Sequence, residues 1–80
     1  MLRPKALQTS IQYAVVMTKG HNPDVGTYDT YGLIAMFNGK PVRFAPDVSV
    51  NRRKVETLAI KFNRIQLSPV HLLDVLEDLL

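Results

Sequence analysis

Residues 27–45 read TYDTYGLIAMFNGKPVRFA, and this stretch decides the fold. At its centre stand Asn38 and Gly39. Both residue types tolerate φ > 0, as a two-residue type I′ hairpin turn requires. Upstream, Thr27 to Phe37 predicts a strand, with Tyr31, Leu33, Ala35 and Phe37 alternating against Gly32, Ile34 and Met36. Gly32 inside that strand marks a bulge or a close backbone approach. Downstream, a short returning strand of about Lys40 to Ala45 contains Pro41. Proline cannot donate to a ladder, so this strand belongs at a sheet edge.

Working outward, Ile11 to Thr18 has the length and the β-branched and aromatic content of one more strand. Its alternation puts Ile11, Tyr13, Val15 and Met17 on one face. Lys19 to Gly26 packs two glycines, a proline, Asn and Asp together and reads as a loop. Residues 1–10 are expected to be a flexible N-terminal segment. Past the returning strand the hydrophobic period changes from 2 to 3.6. Val55, Leu58, Ala59, Phe62 and Ile65 fall on one helical stripe, with Asn51 preferred to Ser49 as its cap. Ser68-Pro69 supplies an N-cap and a proline at the first position of a second helix running nearly to the end. There Leu72, Leu73, Val75, Leu76, Leu79 and Leu80 cover an arc of about 160° at 100° per residue. The predicted fold is α+β, a three-stranded antiparallel meander followed by an α-helical hairpin packed on one face (β-β-β-α-α).

Composition sets the bounds. Eighty residues at 9.0 kDa make one domain, 1–80. With 46% apolar and 21% charged residues the chain is neither disordered nor of low complexity. The absence of cysteine excludes a disulfide scaffold and thiolate metal sites, and fits a reducing cytoplasm. No apolar run, Ala14 to Met17 and Leu33 to Phe37 included, approaches the ~20 residues of a membrane span. Arg3 and Lys5 are not followed by a signal-peptide core, so no membrane or secretory role is expected. A chain of this size buries only roughly 60–65% of its unfolded surface, so its stability margin is thin. A homodimer that extends the core would widen it.

Charge is modest in sum, +3, but uneven. The first predicted helix carries Arg52, Arg53, Lys54, Lys61 and Arg64 against Glu56 alone. The second carries Asp74, Glu77 and Asp78 with no cation. Helical projection sets Arg53, Ile60 and Arg64 opposite the apolar stripe, with Lys61 beside them. A solvent-facing Ile ringed by cations suits an acidic, partly apolar peptide or a nucleic-acid backbone. The competing reading is an ordinary solvated face. Glu77 and Asp78 stand at the unfavourable end of a helix macrodipole, which a neighbouring cation from the first helix, a dimer mate or another partner would relieve.

Other chemistry is thin. A DNA-reading helix-turn-helix would present three carboxylates to a polyanion, which argues against it. The tyrosines and phenylalanines lack the basic-aromatic pattern that stacks RNA bases. His21 with Asp24, and His71 with Asp74 and Asp78, have residue types that bind metals, but such small exposed sets are ordinarily solvated. No nucleophile elbow, phosphate-binding glycine loop or HExxH occurs. No catalytic, cofactor-binding or metal-binding residue is assigned, and the chain is not expected to be an enzyme.

Tyr31-Gly32-Leu33, Asp47-Val48-Ser49 and the run from Leu67 to Leu80, LSPVHLLDVLEDLL, together resemble a family of short uncharacterised proteins from Gram-positive bacteria, over roughly residues 12–80. That family's pattern has an acidic cap where Asn51 stands, so this chain departs from it there. The resemblance implies a bacterial, cytoplasmic domain of unknown function, and carries no substrate, cofactor or catalytic residue. The expected role is a small non-catalytic protein–protein interaction or regulatory module. It would act through Arg53, Ile60, Lys61 and Arg64, or through the open sheet face. The alternative is a weak nucleic-acid-associated protein using the same cations as phosphate contacts.

Overall fold

Asn38 and Gly39 take φ values of 52° and 82° and turn the chain tightly between two antiparallel strands. In the computed structural model, which describes residues 10–79, the elements are β1 (Ile11–Asn22), β2 (Gly26–Phe37), β3 (Lys40–Ser49), α1 (Arg52–Ile65), a 3-10 turn (Pro69–His71) and α2 (Leu72–Leu79). Sheet order is β1-β2-β3, so the predicted meander and two following helices are what the chain forms. Apart from Ser10, the segment expected to be flexible lies outside the described residues.

The loop expected over 19–26 contracts to Pro23, Asp24 and Val25, and β1 pairs with β2 as far as Asn22 opposite Gly26. Val25 N–H donates to the Asn22 carbonyl (3.1 Å), and Asn22 Oδ1 accepts from Asp24 N–H (2.8 Å). Gly26 follows at φ 92°, open to glycine at little cost. Gly20 does not break the strand because its cross-strand partner Tyr28 covers it. A Cβ at Gly20 would lie 2.3 Å from Tyr28 Cζ. Lys19 and Asp29 form an ion pair across the same ribbon.

β3 also outruns its expected end at Ala45. Leu33 faces Ala45 and Tyr31 faces Ser49, so Pro46, Asp47 and Val48 stand against Gly32 alone. Asp47 takes φ 51° in this bulge. Its N–H donates to Thr18 Oγ1 (3.1 Å) and its carboxylate accepts from the Tyr28 hydroxyl (3.2 Å). Thr18 and Tyr28 alternate with the core-facing residues, so the bulge folds over the helix-free face of β2 toward β1. Both expectations for Gly32 hold, since a Cβ there would lie 2.4 Å from the Ala45 carbonyl oxygen. Thr30, beneath the bulge, is fully buried, and among the described residues its hydroxyl has no hydrogen-bond partner. Pro41 sits at the second register shift, on the edge strand as expected.

Asn51 caps α1, its side chain accepting from Lys54 N–H at 3.2 Å, while Ser49 Oγ accepts from Asn51 N–H at 3.0 Å. At the other end Gln66 turns left-handed at φ 52°. Leu67 N–H reaches the Phe62 carbonyl (3.1 Å) and Gln66 N–H reaches that of Asn63 (3.3 Å), the pairing of a Schellman motif. Glycine is usual there. Gln66 instead uses its side chain, with Oε1 accepting from Ile11 N–H (3.0 Å) and Nε2 donating to the Ile11 carbonyl (2.9 Å). Asn63 treats Tyr13 the same way, accepting from its N–H (2.6 Å) and donating to its carbonyl (3.1 Å).

One core cluster fills the space between the sheet and the helices. Tyr13, Leu33, Ala35 and Ala45 come from the strands, Val55, Ala59 and Phe62 from α1, and Leu72 and Leu76 from α2. The Tyr13 ring meets Phe62 edge-on, with centroids 5.5 Å apart, and its hydroxyl donates to the Leu67 carbonyl at 2.7 Å. Burial pushes the Tyr13 phenol above its ordinary pKa, so it keeps the proton it donates. α1 lies over β1 and β2, and α2 over β3.

Several expected core positions are exposed. Met17, 62% exposed, lies on the predicted face but beyond the main core. Ile65, the last residue of α1, is 53% exposed. Leu73 and Leu79 are also exposed. Only Leu72 and Leu76 are buried in α2, because this short helix touches the sheet along one narrow line. Leu80 lies outside the described residues. α2 starts at Leu72 rather than Pro69. The Ser68 carbonyl accepts from His71 N–H at 2.9 Å and closes a 3-10 turn, while the Ser68 hydroxyl makes no capping bond.

Two substitutions test this packing. Gly32→Ala drives a methyl group against the β3 backbone and should lower unfolding free energy by about 1–3 kcal/mol in urea titrations. Tyr13→Phe keeps the ring contact but leaves the Leu67 carbonyl unpaired, and should cost about 1–2 kcal/mol in the same measurement.

Candidate interaction surface

Because Val55, Ala59 and Phe62 turn inward, the 3.6-residue period aims Arg53, Ile60 and Arg64 away from the sheet, with Lys61 on the adjoining flank. All four of these side chains are exposed, and Ile60 is 65% exposed. The helix's one carboxylate, Glu56, is engaged by Arg52 Nε at 3.1 Å, one turn away on a different flank. Thr57, between the outward residues, donates its hydroxyl to the Arg53 carbonyl (3.0 Å). Among the described residues no ion pair is made by Arg53, Lys54, Lys61 or Arg64. The outer face of α1 is thus an aliphatic centre with uncompensated cations around it.

α2 is its electrostatic opposite. Asp74 and Asp78 lie about 200–240° around the helix from Leu72, facing away from the core, with Glu77 beside them. All three are exposed, and the last turn holds no cation. Among the described residues no ion pair joins α1 to α2, so the relief expected from the neighbouring basic helix is not supplied by a direct contact. Leu73 on one flank and Val70 in the preceding turn are exposed apolar side chains.

Other features are more diffuse. His21 is the penultimate residue of β1 and Asp24 lies in the hairpin tip, while His71 belongs to the 3-10 turn, outside the helix that carries Asp74 and Asp78. Among the described residues no group of three or more His, Cys, Asp or Glu side chains is arranged to hold a metal ion. A groove of about 390 Å³ runs between Ile11, Phe37 and Val42 on the sheet and Pro69 and Val70 in the 3-10 turn, with Arg43 on its wall. The helix-free sheet face presents Ala14, Val16, Ile34 and Met36, all half-buried, and Phe44, exposed. Tyr28 hangs at one end of that face, its phenol raised above its ordinary pKa by partial burial and then by the Asp47 carboxylate.

Some features have no local signal in the sequence. The amides of Asn63 and Gln66 occupy the outer edge of β1 beside Ile11 and Tyr13, yet they read only as polar residues at the flank and end of a helix. The Tyr28–Asp47 contact likewise spans two strands and depends on the bulge.

A family model described as a family of unknown function (DUF6514) matches residues 4–80. The chain belongs to that family. No curated protein and no solved structure matches it. In this DUF6514 chain the matched region takes in the whole of both helices and the charges they carry. No helix among the described residues is long and apolar enough to cross a membrane.

The exposure of Ile60 makes a direct prediction. Ile60→Asp should leave the unfolding free energy within about 0.5 kcal/mol of wild type, whereas a core-facing aliphatic changed the same way would unfold the domain. Thermal or urea denaturation decides it.

Proposed function

We propose that this DUF6514 protein is a small non-catalytic interaction or regulatory module that binds a protein partner through the outer face of α1. The observation that carries the reading is Ile60, exposed at the centre of a face whose cations Arg53, Lys61 and Arg64 have no ion-pair partner among the described residues. An apolar centre with a charged rim is how protein interfaces divide their work, the centre giving affinity and the rim orientation. The resemblance to short proteins of Gram-positive bacteria supports a bacterial origin. The lack of cysteine agrees with a cytoplasmic setting.

The same cations support a second reading, weak association with nucleic acid through phosphate contacts. Salt and one substitution separate the two. Binding through three phosphate contacts should weaken roughly 40-fold between about 50 and 200 mM salt. An Ile60-centred protein contact should weaken far less and should be lost in Ile60→Asp. The check is fluorescence anisotropy with labelled DNA and RNA, beside affinity capture from the native host with wild-type and Ile60→Asp baits. If Ile60→Asp captures the same proteins as wild type while Arg53→Ala abolishes nucleic-acid binding, the interaction reading fails.

A further inference from the structure

We infer that the partner of the α1 face is a second copy of this chain, with α1 of each protomer lying on α2 of the other. This inference rests on the reading of α1 as a binding surface and adds the identity of what binds it. Both helices pack on the same face of the sheet and contribute to one core cluster, so their outer faces look in the same direction. One of those faces is cationic around Ile60, through Arg53, Lys61 and Arg64. The other is anionic, through Asp74 and Asp78 with Glu77 beside them, and all of these side chains are exposed.

The two sets do not neutralise each other within the chain. Among the described residues the ion pairs are Arg52–Glu56 and Lys19–Asp29, and neither links α1 to α2. A two-fold axis along the seam between the helices, in the plane of contact, brings them together between chains. Rotation by half a turn about it lays α1 over the mate's α2 and, by symmetry, α2 over the mate's α1. Opposite charge then meets opposite charge twice. Glu77 and Asp78, unfavourably placed at the C-terminal end of α2, gain cations from the mate. Exposed Ile60 and Ile65 on one side and Val70 and Leu73 on the other supply apolar surface for the contact to bury.

The symmetry provides its own test. In one variant Lys61→Glu and Arg64→Glu make both outer faces net negative. In the second, Asp74→Lys and Asp78→Lys make both positive. Each variant alone should be monomeric by sedimentation equilibrium, because like charge predominates across both contacts of its homodimer, opposed only by Arg53 in the first variant and Glu77 in the second. Mixed one to one, they should form a dimer, since both contacts of the mixed pair are attractive. Circular dichroism confirms that each variant is folded before mixing. The full-length wild-type chain should dimerise, with a dissociation constant weakened about tenfold between about 50 and 500 mM salt. A mixture that stays monomeric overturns the inference, and so does a wild-type chain monomeric up to about 100 μM. A dimer broken by Phe44→Asp but kept by both charge variants also overturns it, because that places the contact on the helix-free sheet face. A monomeric wild type whose captured partner is lost in Ile60→Asp removes this inference but leaves the interaction reading standing. A monomer that captures nothing through Ile60 removes both.

Discussion

Tyr13 joins the sheet to the helices at the point where three segments meet. Its ring abuts Phe62 of α1, its hydroxyl holds the carbonyl of Leu67 in the connection to α2, and its backbone is bound on both sides by the amide of Asn63. A buried phenol with a paired hydroxyl is a demanding arrangement, because loss of either partner leaves a polar atom without water. Here the demand also sets direction. Fixing Leu67 against β1 fixes where the chain leaves α1, and hence where the 3-10 turn and α2 begin their return along β3. Tyr13 thus ties the connection between the helices to the sheet face on which both of them pack.

A three-stranded sheet has two edges, and this chain closes part of each by different means. On β1 the side-chain amides of Asn63 and Gln66 stand where a fourth strand would pair with Tyr13 and Ile11. On β3 two prolines and two register shifts interrupt the ladder, and the bulge at Pro46 to Val48 bends the strand across Gly32. Such devices keep a short sheet from pairing edge to edge with other chains. The proposed contact accordingly uses side chains of the helical layer and not a free sheet edge.

Much of this was legible in the sequence wherever a local rule had no competitor. Asn38-Gly39 makes a tight turn, Pro41 an edge strand, Asn51 a cap, and the α1 stripe puts Val55, Ala59 and Phe62 inside. The readings that failed did so where a non-local contact overrode a local signal. Gly20 reads as a breaker, yet the Tyr28 ring across the ribbon covers it and the strand continues. The returning strand reads as ending at about Ala45, yet the Thr18 and Tyr28 hydroxyls hold the bulge and β3 resumes. Ser68-Pro69 reads as an α-helical start, yet the first turn closes as 3-10. The α1 surface was legible because helical phase alone sets which side chains face outward. The partner proposed for it was not, because charge in a sequence gives a sign and a position on a face but not the molecule that answers it.

The segregation of charge onto separate helices is not what folding alone favours. Lys61 and Arg64, three apart, repel, as do Asp74 with Glu77 and Asp74 with Asp78 at spacings of three and four. Interleaving the same residues would turn each repulsion into an attraction without touching the core, since all of them are exposed. In a domain this small, with a thin margin between burial and chain entropy, those interactions weigh against the native state. Opposite charge brought to each helix, as in the proposed dimer, would reverse their sign. Solubility does not supply that reason, because a mixed surface of the same net charge would serve it as well. The pairing proposed for the cations around Ile60 and the carboxylates of α2 would return this cost, which is why the segregation argues for that pairing over an ordinary solvated face.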